Sequence, residues 1–131
     1  MNEPVWLEPA LIVAVHEAQL AEHGGAAGVR DAGLLDSALA RPQQLWNYAE
    51  SRPNMATLAA ADGFGIARNH PFVDGNKRSA LVAMETFLNL NGWELTASNL
   101  DCVQEMLALA AGDRTEIQLA AWLRRHLAPM T

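Results

Sequence analysis

Apolar residues in this chain recur three and four positions apart and never alternate for long, which limits what the chain can build. Alanine and leucine dominate, whereas the β-branched valine and isoleucine that favour strands are few. A helix buries one stripe of side chains at that spacing, so the pattern predicts an all-α protein of about six helices. Half of the 131 residues are hydrophobic. That is enough for one core and too little for two, and residues 1–131 are expected to form a single domain.

Local signals divide the chain. Glu8-Pro9 opens a first helix with Leu11, Ala14, Val15 and Ala18 on one face, and Gly24-Gly25 ends it. A glycine-rich loop runs from Gly24 to Gly33 and leads into a short helix over residues 34–40, stopped by Pro42. Asn54 is placed to cap a helix over residues 55–68, whose many alanines predict close helix packing. The next helix, residues 76–90, is apolar on nearly every side and reads as central and buried, with Asn91-Gly92 as its left-handed stop. Trp93 to Ala97 can form one short extended segment. Ser98 with Asp101 resembles a capping box, and Leu100, Val103, Leu107 and Ala110 keep helical spacing as far as Gly112. Asp113 with Glu116 repeats that signal before a last helix carrying Ile117, Ala120, Leu123 and Leu127 on one side.

The net charge of -6 and pI near 5.0 argue against nucleic acid or an anionic membrane as partner, because both require a basic face that displaces counterions. No apolar run approaches the roughly 20 residues needed to cross a bilayer. A lone cysteine, Cys102, leaves no internal disulfide, and Met1 is followed by acidic residues and prolines rather than a basic start. A cytoplasmic location is expected.

Against this acidic background, His70-Pro-Phe-Val-Asp-Gly-Asn-Lys-Arg78 concentrates a base, a carboxylate, a turn glycine and two cations at a loop-to-helix junction. The free N–H groups of a helix start and the positive end of its dipole stabilise an anion there. Transfer of a phosphate-containing group needs a base for the incoming hydroxyl, charge to neutralise the phosphates, and usually a divalent metal. His70 supplies an imidazole, which can accept a proton near neutral pH. Asp74 offers the hard oxygen that Mg2+ prefers, and Gly75 permits a tight turn and close approach of phosphate. Asn76, Lys77 and Arg78 begin the helix, with Lys77, the only lysine, as a point charge and Arg78 as a fork for two oxygens. Phe72 is expected to point inward and pin the loop.

Other candidates are weaker. His16-Glu17 begins like a zinc protease motif, but Leu20 stands where the second histidine belongs. His16 and His23 share a face yet are about 10 Å apart along a helix, too far for one ion. His126 beside Arg124 and Arg125 reads as a C-terminal helix charge, and Cys102 as a core residue.

The run from His70 to Arg78 closely resembles the signature of the Fic/Doc superfamily, and its lysine variant resembles the death-on-curing (Doc) toxins. Gly24-Gly25 to Arg41-Pro42, which contains Arg30-Asp31-Ala32-Gly33-Leu34-Leu35, and Phe87-Leu-Asn-Leu-Asn-Gly92 extend the likeness. The resemblance implies an all-helical Fic fold with His70 as base, Asp74 as magnesium ligand, and Gly75, Asn76, Lys77 and Arg78 around the phosphates; Arg68 is a second-tier candidate for the same role. Typical Fic enzymes carry a glycine at the position of Lys77 and transfer AMP. The lysine places charge where the nucleotide's phosphates would pass, and Doc proteins with that lysine move the terminal phosphate of ATP to a threonine of elongation factor Tu. A kinase toxin is therefore expected, with AMP transfer and a non-catalytic antitoxin-binding module as alternatives. No Ser or Thr precedes a Glu by four positions, so an inhibitory helix of the Fic kind is not expected within these residues, and the resemblance implies a separate Phd-like antitoxin.

Overall fold

Four of the six helices begin at a short polar side chain that accepts a bond from a free backbone N–H. The structure, a computed structural model, describes residues 2–130; Met1 and Thr131, the ends of the expected domain, lie outside the described residues. Its helices are α1 (Pro9–His23), α2 (Ala32–Tyr48), α3 (Met55–Asn69), α4 (Asn76–Leu90), α5 (Asn99–Ala110) and α6 (Glu116–Arg125). Asp31 accepts from Leu34 N at 3.0 Å, Asn54 from Thr57 N at 2.8 Å, and Ser98 from Asp101 N at 3.1 Å. Thr115 and Gln118 form a reciprocal capping box at 2.9 and 3.1 Å, so the signal for α6 sits two residues beyond the expected Asp113. The exceptions are α1, which opens on Pro9, and α4, which begins at Gly75 with no side-chain cap.

The helical expectation holds, and the hub is α3. Ala56, Leu58 to Gly63 and Gly65 to Ala67 are all buried, and α3 packs against α2, α4 and α6. Small side chains permit the close approach: a Cβ on Gly65 would stand 3.1 Å from the Ala38 backbone in α2. Helix α4, expected to be the central buried one, instead buries Ser79, Ala80, Ala83, Met84, Phe87 and Leu88 and leaves Leu90 exposed. The alanine-rich helix wins the centre because it accepts neighbours on more sides.

Pro42 does not stop α2, which continues to Tyr48. Leu35, Ala38, Leu39, Pro42 and Trp46 form one buried face, so packing against α3 outweighs the backbone bond that proline forfeits. After α4, Gly92 adopts the left-handed conformation at φ 87. The segment Trp93–Leu95, β1, pairs antiparallel with Leu127–Pro129, β2, in the register Trp93 to Pro129 and Leu95 to Leu127. Leu127 thus belongs to a strand that three residues were too few to announce, and α6 ends at Arg125. No helix among the described residues is long and apolar enough to cross a membrane.

Candidate active site

The connection from α3 to α4 is short, and an upstream loop braces it. The N–H groups of Arg30 and Asp31 both donate to Pro71 O, at 2.7 and 3.1 Å, and Val73 N–H donates to Gly28 O at 3.1 Å. Val29 pairs with Phe72 as an isolated antiparallel bridge. The Arg30 guanidinium donates from Nε to His70 O and from Nη2 to Asn69 O, each at 2.7 Å, closing the open carbonyl end of α3. Asn69 Nδ2 in turn donates to Leu34 O at 3.0 Å.

His70 is the C-cap of α3 and sits in the left-handed region at φ 49, ψ 56. Among the described residues it is the only non-glycine residue with positive φ. Such a conformation costs roughly 1–3 kcal/mol and persists only where surrounding bonds impose it; the Arg30 fork and the Pro71 bonds are those constraints. The imidazole is left exposed, not folded into the core.

Phe72 is buried, as expected, and its backbone is held on both sides by one residue. Phe72 N–H donates to Asn76 Oδ1 and Asn76 Nδ2 donates to Phe72 O, both at 3.0 Å. The Asn76 side chain is thereby engaged in shaping the loop. Asp74 accepts from Gly75 N at 2.8 Å and from Ala26 N at 3.3 Å, which ties the carboxylate to the glycine-rich loop. Gly75 then turns through φ 76, a value at which a side chain is strained.

Helix α4 makes its first backbone bond from Ser79 N–H to Gly75 O at 2.9 Å. The N–H groups of Asn76, Lys77 and Arg78 therefore precede the hydrogen-bonded ladder, at the positive end of the dipole. Lys77 and Arg78 are exposed, and among the described residues no carboxylate lies within ion-pairing distance of either. Two cations and three N–H donors that precede the ladder stand together at one helix start, an arrangement that favours an anion.

These groups line an open cavity of about 850 Å3. His70, Asp74, Gly75, Asn76, Lys77 and Arg78 share it with His23 and Gly24-Gly25 at the end of α1. Leu81 with Val103, Met106, Leu107 and Ala110 of α5 supplies an apolar side. A volume of this size suits a nucleotide-sized ligand. Arg68 is not among the lining residues; its guanidinium lies 5.3 Å from the Phe64 ring centroid on α3. Cys102 is buried, and burial, then Glu85 and Asp101, push its thiol up from the ordinary range, which fits a packing role.

Among the described residues, no three His, Cys, Asp or Glu side chains converge to cage a metal ion. One carboxylate fits the different arrangement in which magnesium arrives with phosphates and keeps water on its other positions. Of about four acceptor positions on a carboxylate, two on Asp74 are taken by N–H groups, which leaves room for the ion.

The bracing residues were not identified as such from sequence. His16 lies 2% exposed in α1, donating from Nε2 to Asp74 O at 2.8 Å and stacking on Phe72 with ring centroids 3.9 Å apart. Its spacing four after buried Ile12 marks a buried face, but nothing in the sequence ties that face to residue 74. His126 is the C-cap of α6, and its Nδ1 donates to Trp122 O at 2.8 Å.

Residues 6–88, which include the brace and the whole loop, match the sequence model of the Fic/DOC family. The chain belongs to that family. It is 45% identical over 85 residues to the Toxin Doc of Mycolicibacterium smegmatis (strain ATCC 700084 / mc(2)155), a match covering 64% of this chain and 65% of that protein. It is 29% identical over 119 residues to the Protein kinase doc of Escherichia phage P1, covering 91% of this chain and 93% of the relative. The stretch shared with the mycobacterial protein thus falls just short of two thirds of its length.

Proposed function

We propose that this Fic/DOC member is a Doc-type toxin: a protein kinase that moves the γ-phosphate of ATP to a threonine or serine hydroxyl. The observation that carries the reading is the presence, in one cavity, of an exposed imidazole and a helix start bearing Lys77 and Arg78. Similarity to a relative named as a protein kinase along 91% of the chain supports it.

In this reading the hydroxyl oxygen of the substrate attacks the γ-phosphorus while His70 takes its proton. The bond from that phosphorus to the bridging oxygen breaks, and ADP leaves with the bond pair. Lys77, Arg78 and the N–H groups of residues 76–78 hold the phosphate oxygens through the transfer and stabilise the charge that shifts among them. Magnesium, when bound with the nucleotide, screens phosphate charge, and Asp74 is the residue to hold it.

The relatives' names, a toxin and a protein kinase, support an antitoxin partner and a protein substrate. From the resemblance of the motif to Doc toxins, the antitoxin is proposed to be Phd-like and the substrate a translation factor, with elongation factor Tu as the first to test. Leu100, Val103 and Leu107 are exposed along α5 beside the cavity, so a protein partner has apolar surface to cover.

The test is incubation of the toxin and a translation extract with ATP labelled at either the α or the γ position. Label entering a protein only from the γ position is expected. Label entering only from the α position would instead establish AMP transfer, and no label from either position in an extract whose translation stops would sink both.

A further inference from the structure

The Asp74 end of the loop is held from α1 by one side chain. His16 approaches three loop residues at once: its Nε2 meets Asp74 O at 2.8 Å, its ring lies parallel to Phe72 within 7° at a 3.9 Å centroid separation, and a Cβ on Gly75 would stand 3.7 Å from its Nε2. A carbonyl oxygen only accepts, so Nε2 must carry the proton. The ring is 2% exposed, and so is shielded from water that could replace this bond.

We propose that His16 is a positioning residue for the phosphate-metal half of the site. By fixing the peptide that joins Asp74 to Gly75, it aims the Asp74 carboxylate toward the cavity and sets the left-handed turn from which α4 starts. His70 lies at the other end of the loop, held by Arg30, so His16 acts on Asp74 and the first turn of α4, not on the base. Groups that orient a metal-binding side chain without touching the metal commonly influence affinity by about 10- to 100-fold. This assignment rests on the proposed nucleotide site for its consequence, but the brace itself does not.

The experiment compares the full chain with His16→Phe, which keeps a ring on Phe72 and removes the donor, and His16→Gln, which restores an N–H of similar reach. Binding of Mn2+ together with ADP is read by electron paramagnetic resonance, and hydrogen exchange of the Gly75 amide is followed in parallel. His16→Phe is expected to weaken Mn2+ binding about tenfold and to speed exchange at Gly75, with His16→Gln recovering much of both. In the unmodified protein, nitrogen shifts of His16 are expected to report the tautomer protonated at Nε2, a readout that needs no variant to fold. Parent-like Mn2+ binding and Gly75 exchange in His16→Phe, or a bare Nε2 in the parent, would overturn the assignment. If the parent binds no Mn2+ with ADP, the proposed function fails, while the exchange and tautomer measurements still decide the role of His16.

Discussion

Arg30 Nε lies 2.7 Å from the carbonyl oxygen of His70, and the same guanidinium reaches Asn69 O at the same distance. A residue forty positions upstream thus holds the one described non-glycine residue whose backbone is left-handed. The bond links fold to chemistry, since it sets where the imidazole leaves the chain.

Replacing Arg30 by alanine releases that carbonyl and lets His70 relax toward ordinary backbone geometry. Transfer is expected to slow on the order of 100-fold, as displacement of a reacting group by about 1 Å commonly does, with the KM for ATP little changed. Steady-state kinetics separate the two parameters. A raised KM with an unchanged kcat would place Arg30 in nucleotide binding instead.

Lys77 has no ion-pair partner among the described residues and faces the cavity, so its charge is available to phosphate. Lys77→Met is expected to raise the KM for ATP about tenfold or more and to lower kcat, since a bond to a charged group contributes about 1.5–3 kcal/mol. Thermal melting should remain within a few degrees of the parent, because the side chain is exposed. Unaltered kinetics would remove lysine from the mechanism.

Gly65 is fitted against rigid backbone: an added Cβ would lie 3.0 Å from Ala38 Cβ and 3.1 Å from Ala38 Cα. Gly65→Ala forces α2 and α3 apart despite alanine's better helix propensity. Overpacking of this kind costs about 1–3 kcal/mol, which lowers Tm by several degrees in a chain of this size. A Tm equal to or above that of the parent would show that the helices can separate freely.

Asp62 is fully buried in α3, and neither carboxylate oxygen has a hydrogen-bond partner. Burial raises its pKa well above the ordinary 3.8. The unfolded chain therefore ionises first, so this group favours the fold most below 3.8 and progressively less as pH rises toward its folded value. Asp62→Asn should melt above the parent at pH 7.5, with the gap narrowing toward pH 4. A gap independent of pH would mean that Asp62 is charged and paired in the fold.

The helices and most of their starts were legible because they are local events: Asn54, Ser98 and the Gly92 stop act within a few residues of themselves. Pro42 and Leu127 were misplaced because their conformations depend on partners far along the chain, α3 in one case and β1 in the other. The same division runs through the site. His70, Asp74, Gly75, Lys77 and Arg78 are contiguous enough to be seen together and do line one cavity. The brace was not legible, because His16 meets Asp74 across 58 positions and Arg30 meets His70 across 40. Asn76 is legible from the motif as a phosphate binder, but the ring of bonds that its amide also closes with Phe72 is not.

Binding of a nucleotide's phosphates at the start of α4 is tested most directly by a crystal structure with magnesium and an ATP analogue that resists hydrolysis. Terminal phosphate oxygens bonded to the N–H groups of residues 76–78 and to Lys77, with the γ-phosphorus open to a hydroxyl beside His70, are the predicted result. Phosphates bound away from the start of α4, or an adenine end lodged there with the γ-phosphate remote from His70, would contradict it.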